Sequence, residues 1–205
     1  MNALRKTLFC LILLSVSGLA VAADAWRLDP VHTRVLFKVE HAGFSQALGL
    51  FPDVQGELRF DPDDWTTARL EVRIPLARLQ IGDDGWRDKL LTRAFFDAAR
   101  FPEARFVSTR VEPVDAENAR VFGQLTLRGV AREVRLDVRL NRLARHPLTF
   151  RRTAGFSARA ELDRRDFGMD AWPNVIGQKV QLEIQAEATR TRNDQEPNDA
   201  DPEHR

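Results

Sequence analysis

Apolar and charged residues alternate with a period of two along most of this chain. In residues 69–74, Leu70, Val72 and Ile74 share one face, and the charged residues between them share the other. Residues 133–140 and 179–189 repeat the pattern. Such alternation is typical of β-strands that have one face buried and one face in water.

The alternation and its bounding turn residues predict about eight strands. These are residues 26–41, 54–60, 69–74, 104–111, 120–127, 133–140, 153–163 and 179–189. Turn-forming residues separate them at 60–63, 115–118, 128–129 and 167–168. Short strands at this spacing form a sandwich or a barrel, and a barrel of about eight strands can hold one small ligand.

One segment departs from the β pattern. Residues 86–99 carry apolar side chains at helical spacing, and Asp83 or Asp84 can cap the start. We predict an amphipathic helix that covers one end of the sheet and forms one wall of the mouth of a barrel. The apolar positions are Trp86, Leu90, Leu91, Ala94, Phe95 and Ala98.

The N-terminus has the organisation of a signal peptide. Arg5 and Lys6 precede a short apolar run, and small residues follow up to Ala22. We expect residues 1–22 to be removed by cleavage between Ala22 and Ala23, and the mature protein to lie in the periplasm. The apolar run is too short for a membrane anchor, so no transmembrane segment is expected in the mature chain.

The remaining composition limits the function. The only cysteine, Cys10, leaves with the signal, so the mature domain must be held together by a hydrophobic core. Removing the basic residues of the signal leaves a net charge of about −1, which argues against a nucleic-acid partner. Residues 191–205 are polar and predict a disordered tail, so the ordered domain spans residues 23–190.

Little in the sequence indicates catalysis. The serines lie in no nucleophile elbow, the carboxylates lie on outward faces, and no three-ligand metal set is apparent. In an unbroken first strand, His41 would point inward and His32 outward. His41 is then either a core histidine satisfied by a backbone carbonyl or a hydrogen-bond donor to a ligand head group.

The predicted inward face mixes large and small residues. The large ones are Phe37, Leu58, Phe60, Phe106, Leu125, Leu127 and Phe156, and the small ones are Gly56, Gly123, Ala158, Ala160, Ala186 and Ala188. Small residues on several strands can leave an apolar space suited to a long hydrocarbon ligand. A dry, fully packed core is the equally weighted alternative.

The ordered motifs resemble the YceI-like family of polyisoprenoid-binding periplasmic proteins. The resemblance covers residues 25–190 in order. It is carried by the segments LDPVHT (28–33), FKVEH (37–41), GLF (49–51), GELRFD (56–61), RDK (87–89), FPEARFVS (101–108), GQLTLRGV (123–130) and RDFG (165–168).

The resemblance implies an eight-stranded antiparallel lipocalin-like barrel with one inserted helix near its mouth. It also implies a bound isoprenoid lipid, such as a polyprenyl phosphate or a quinone, and often a homodimer. No other cofactor is expected. The family commonly has histidine at the position of Leu90, so a polar role of that histidine is not carried over to this chain.

We accordingly predict a channel and a head-group site. The head-group candidates are His41, Arg87 and Lys89. The channel-lining candidates are Phe37, Val39, His41, Leu50, Phe51, Leu58, Phe60, Leu70, Val72, Trp86, Leu90, Leu91, Phe106, Leu125, Leu127, Phe156 and Ala186.

The leading hypothesis is a periplasmic binding or carrier protein for a long isoprenoid lipid. The alternatives are an enzyme acting on an isoprenoid or quinone, and a stress-induced barrel whose core is filled. The arginine-rich stretch 141–152 has no role in any of these hypotheses beyond that of a solvated loop.

Overall fold

The computed structural model describes residues 23–191. Residues 1–22 and 192–205 lie outside the described residues, so the signal peptide and the disordered tail stay predictions. The strands are β1 (Asp24–Leu28), β2 (Arg34–His41), β3 (Ser45–Phe51), β4 (Gln55–Phe60), β5 (Arg69–Pro75), β6 (Glu103–Pro113), β7 (Asn118–Leu127), β8 (Val130–Arg145), β9 (Arg152–Asp163) and β10 (Ile176–Arg190). The helix α1 spans Asp84–Leu91, and 3-10 turns span Trp65–Thr67, Leu76–Arg78 and Arg164–Phe167.

Eight of these strands close an antiparallel barrel. Strand β1 pairs with β4, the order continues from β5 to β10, and β10 returns to β1. This arrangement confirms the predicted fold class of an eight-stranded antiparallel barrel with one helix. We call the end that holds both described chain termini the lower end, and the end that holds α1 the upper end.

Strand β10 pairs with two different strands, β1 and β2, along one of its edges. Near its C-terminal end Ala188 pairs with Leu28 of β1, and nearer its start Leu182 pairs with Phe37 of β2. The β2–β3 hairpin therefore continues the wall above β1 and extends the sheet to ten strands.

The predicted first strand, residues 26–41, is wrong as a single element. The chain leaves the ladder after Leu28 and resumes at Arg34. Pro30 has no N–H to donate, and an Asp29 carboxylate oxygen accepts the N–H of Val31. The turn separates β1 from β2. The prediction that His32 and His41 lie on opposite faces of one unbroken strand therefore does not hold.

Strand β3 was missed by the sequence reasoning. Leu48 and Leu50 lie on its outer face, so apolar residues occupy both faces and the alternation is lost. On its inner face Gly49 lies opposite Phe37, whose ring occupies the place that a larger side chain would take.

The predicted helix over 86–99 is too long at its C-terminal end. Asp83 caps its start by accepting the N–H of Trp86, as predicted, but the helix ends at Leu91. The Thr92 hydroxyl donates to the Lys89 carbonyl, which diverts an acceptor from the helical pattern. The chain then turns back, with Asp97 in the left-handed region. No helix among residues 23–191 is long and apolar enough to cross a membrane.

The strand faces follow the predicted alternation. Phe37, Leu58, Phe60 and Leu125 are buried in the core inside the barrel. Charged side chains occupy the outer face, where Arg73, Arg135 and Glu183 pair with Glu71, Asp137 and Lys38. The apolar faces of the strands therefore converge on the barrel interior.

Candidate functional site

The lower half of the barrel contains a cavity of about 150 Å³. Apolar side chains from all eight barrel strands line this cavity, and those of β9 come from its lower part. Trp65, from the 3-10 turn below, also lines it. Polar groups at its edge are engaged: the Ser108 hydroxyl accepts the N–H of Leu70, and the Thr33 hydroxyl donates to the Glu187 carbonyl. This lower cavity therefore offers a ligand dispersion contacts rather than hydrogen bonds.

The upper half contains a second cavity of about 130 Å³. The segment after α1 closes it from above, because Phe95 and Phe96 both line it. The ring of Phe96 meets that of Phe51 edge to face, with centroids 5.7 Å apart. This upper cavity is also almost wholly apolar.

A constriction separates the two cavities. Four side chains line both of them, and they are Val35, Ile74, Leu125 and Leu182. All four side chains are apolar, so a ligand that occupied both cavities would pass between apolar groups.

Most predicted channel residues lie on these walls. Those lining the lower cavity are Leu58, Phe60, Leu70, Val72, Phe106, Leu125, Phe156 and Ala186. Those lining the upper cavity are Phe37, Val39, Phe51, Leu90, Leu125 and Leu127. Their role in ligand binding remains a prediction.

Four predicted channel residues line neither cavity: His41, Leu50, Trp86 and Leu91. Leu50 pairs through its backbone with Gln80, on the opposite face of β3 from Phe51. Further lining residues, which were not among the predicted channel residues, include Phe95, Phe96, Leu162 and Arg164. The alternation signal could have found Leu162, whereas Phe95 and Phe96 depend on the chain reversal after α1.

The small inward residues do not all create space. A Cβ at Gly123 would overlap the ring of Phe106, and one at Gly56 would lie 2.8 Å from Leu28. Those larger side chains therefore fill the volume that was expected to be free. Ala158 and Ala186 do line the lower cavity, so part of the predicted space is present.

A buried arginine borders the upper cavity. Arg164 is only 4% exposed, and its guanidinium donates to the carbonyls of Met169, Ala171, Ile176 and Gly177. Burial lowers the pKa of Arg164 from its ordinary value. Its contacts fasten the loop between the last 3-10 turn and β10, so this cation organises the upper end of the barrel.

The predicted head-group residues gather at the upper end but differ in availability. The rings of His41 and Trp86 lie 5.3 Å apart, and Lys89 lies 5.1 Å from the ring centre of Trp172. Lys89 makes no ion pair within residues 23–191.

Arg87 is less available than the sequence suggested. Its guanidinium contacts Asp84 at 2.7 Å and Asp88 at 2.8 Å. The hydrogen bond to Asp88, followed by the charge of Asp84, raises the pKa of Arg87. Two carboxylates thus already neutralise this charge, which leaves Lys89 as the better-placed cation.

A polar cluster that the sequence reasoning missed lies at the turn between β1 and β2. Nδ1 of His32 lies 2.7 Å from an Asp29 carboxylate oxygen and 4.0 Å from one of Glu187. The ligand atoms of the three residues lie within 4.8 Å of one another, close enough to hold a cation. The contacts of His32 depend on the turn that interrupts the predicted first strand. A prediction that assumed an unbroken strand could not reveal them.

Comparisons with known proteins agree with this architecture. A family model described as a YceI-like domain matches residues 26–188. A UPF0312 protein of Pseudomonas savastanoi pv. phaseolicola is 33% identical over 195 residues, covering 92% of this chain and 100% of the relative. A UPF0312 protein of Enterobacter sp. is 34% identical over 183 residues, covering 88% and 93%.

Solved structures share the fold. BcnA of Burkholderia cenocepacia superposes with a TM-score of 0.71 at 23% identity, covering 79% of this chain and 99% of that one. A polyisoprenoid-binding domain from Saccharophagus degradans gives 0.62 at 16% identity, covering 82% and 99%. With the family match over nearly all described residues, the chain belongs to the YceI-like domain family.

Proposed function

We propose that this protein binds and carries a long isoprenoid lipid inside its barrel. The observation that carries the proposal is the pair of apolar cavities placed end to end on the barrel axis. The polyisoprenoid-binding domain of Saccharophagus degradans, which has the same fold, supports this choice of ligand. A periplasmic location is part of the proposal, and it is supported by the signal-like sequence of residues 1–22.

The cavity volumes indicate how much of an isoprenoid chain fits inside the barrel. An apolar cavity of roughly 150 Å³ accommodates a benzene molecule, which has about the size of one isoprene unit. The lower and upper cavities thus each hold about one unit as they stand. A longer chain requires the constriction side chains Val35, Ile74, Leu125 and Leu182 to move aside, so binding is coupled to opening along the axis.

The head group belongs at the upper end in this proposal. Val39 lines the upper cavity, and His41 follows two residues later on the same strand. His41 can donate a hydrogen bond to a quinone carbonyl, and Lys89 can pair with a phosphate. An anion placed there stays near solvent, which avoids the cost of burying it unpaired.

The experiment is extraction of the ligand. Protein purified from its native host is extracted with organic solvent, and the extract is analysed by mass spectrometry. We expect an isoprenoid lipid in an amount comparable to the protein, and binding of a long-chain polyprenol to the delipidated protein. Extracts free of isoprenoid, combined with no polyprenol binding, would show that the barrel is filled by its own side chains.

A further inference from the structure

The hairpin formed by the end of β8 and the start of β9 projects from the lower end of the barrel. The β7–β8 ladder ends at Asn118 and Arg139, whereas the β8–β9 ladder continues to Arg145 and Arg152. Six further residues of β8 thus extend past the end of β7, while β9 stays paired with β10 as far as Thr153. We call residues 141–152 the basic hairpin, and its tip, residues 145–152, extends past both neighbouring strands.

The basic hairpin carries a concentrated positive charge. Its four exposed arginines are Arg142, Arg145, Arg151 and Arg152. None of them makes an ion pair within residues 23–191, and the sequence contains no Asp or Glu from 138 to 160. By contrast, Arg110, Arg135 and Arg139 on β6 and β8 each pair with a carboxylate.

The tip of the hairpin is apolar and held in a defined shape. Leu148 is 82% exposed and Phe150 is 70% exposed. Nδ1 of His146 accepts the N–H groups of Leu148 and Thr149, and the carbonyl of His146 accepts the N–H of Phe150. Phe150 has φ of 56°, an unfavourable conformation for a bulky residue. The turn therefore presents two large apolar side chains to the exterior.

Two occupants could cover this hairpin, namely residues 192–205 of the chain itself or a lipid bilayer. Thr191, the last described residue, lies at the same end of the barrel, since Thr189 pairs with Thr153, and residues 192–205 contain five acidic residues. That segment matches the charge, but Ala200 and two prolines are its only apolar residues. It has no side chain suited to covering Leu148 and Phe150.

We propose that the basic hairpin docks the protein on an anionic lipid bilayer. The arginines lie among the lipid head groups, and Leu148 and Phe150 enter the boundary with the acyl chains. A bilayer supplies both the negative charge and the apolar layer that this arrangement matches. The inference goes beyond the proposed function and does not depend on what the barrel holds, because it rests on the outer surface alone.

The test is co-sedimentation of residues 23–205 with vesicles of phosphatidylglycerol or of phosphatidylcholine. We expect binding to the former to exceed binding to the latter and to weaken as salt is added. Each arginine near an anionic surface contributes roughly fivefold to binding, so Arg151→Gln/Arg152→Gln should lower binding about 20-fold. Phe150→Ser should lower it about tenfold, since a buried Phe side chain contributes on that order.

Two controls separate docking from general effects. Arg93→Gln/Arg132→Gln removes two exposed upper-end arginines, and Phe44→Ser removes a phenylalanine that is 91% exposed at that end. Both controls should bind as the parent does. Soluble glycerol phosphate should not release the protein, because it offers charge without an apolar layer.

Three results would overturn the proposal. One is equal binding to both vesicle types, and a second is a loss in the upper-end controls as large as in the hairpin variants. The third is preferential binding that begins only when the acidic residues of 192–205 are replaced by amides. That result would identify the C-terminal segment as the occupant of the hairpin.

Discussion

Nδ1 of His32 donates a hydrogen bond to the Asp29 carboxylate at 2.7 Å, across the turn that separates β1 from β2. The hydrogen bond and the charge of Asp29 raise the pKa of His32. Burial of the Asp29 carboxyl opposes its ionisation, but the hydrogen bonds from His32 and Val31 outweigh this and lower its pKa. The raised pKa of His32 and the lowered pKa of Asp29 widen the pH range over which both groups are charged and paired.

The first prediction concerns pH. Folding raises the pKa of His32, so its contribution to stability is complete below about pH 6.5 and is lost as pH rises through the folded-state pKa. The contribution of Asp29 is lost as pH falls through its own lowered pKa. An NMR titration should place the His32 pKa above 6.5, and Asp29→Asn should return it toward that value. Glu187→Gln, at the longer distance, should change it less. An unchanged His32 pKa in Asp29→Asn would contradict this assignment.

The second prediction concerns the constriction. Leu125→Ala removes a buried side chain that lines both cavities, and it should lower the free energy of unfolding by about 2–4 kcal/mol. The same change enlarges the passage, so the variant should bind a long polyprenol more tightly relative to a ten-carbon prenol than the parent does. Chemical denaturation and competition binding measure the two effects. A variant with the parent's chain-length preference would show that the passage does not limit binding.

The third prediction concerns the lower cavity. Ala186→Phe places a ring in that cavity and should exclude long chains, at a strain cost of roughly 1–3 kcal/mol. Gln181→Phe adds the same ring to the outer side of the same strand and serves as the matched control. Lipid recovered by mass spectrometry should fall in the first variant alone. Equal recovery from both would place the ligand outside the lower cavity.

The fourth prediction concerns the buried arginine. Arg164→Leu leaves four carbonyls without their donor and should destabilise the fold by at least about 3 kcal/mol. Arg135→Leu removes a pair with Asp137 in which both side chains are 56% exposed, and it should cost within about 1 kcal/mol. Equilibrium denaturation of both variants checks the contrast. Similar losses in the two would argue that Arg164 does not hold the loop.

The fifth prediction concerns the head group. Lys89→Ala should weaken binding of a polyprenyl phosphate about tenfold, the typical effect of losing a charged hydrogen bond. Arg87→Ala should have a smaller effect, because Asp84 and Asp88 already occupy its guanidinium. His41→Ala should weaken binding of a long-chain quinone and leave the phosphate lipid unaffected. Unchanged binding of both lipids in all three variants would place the head group elsewhere.

Period-two alternation predicts the barrel faces because each strand has one buried and one solvated side. The residues of β5 illustrate this, since Leu70 and Val72 line the lower cavity while Arg73 faces water. Alternation fails at β3, where Leu48 and Leu50 are apolar on the outer face. It also fails at the Asp29 turn, where local hydrogen bonds override the tendency of the flanking residues to continue the strand.

Contacts between distant segments explain what the sequence could not predict at the site. Free volume depends on which neighbour fills a gap, and at Gly123 the ring of Phe106 from the adjacent strand fills it. In the sequence, Arg164 lies in a charged run that is typical of a surface. In the structure, carbonyls of the loop that follows surround its guanidinium. Arg87 reads as a free cation until the helix brings Asp84 and Asp88 beside it.

The pairing of β1 with β10 determines when the barrel can close. The hydroxyl of Thr191 donates to the carbonyl of Ala25, across 166 positions of sequence. A nascent chain that lacks β10 has no strand to complete the circle, so it stays open with two unpaired edges until the ribosome has synthesised nearly all of it. A chain truncated before Ile176 would therefore keep two strand edges exposed, and we expect it to be prone to aggregation and proteolysis.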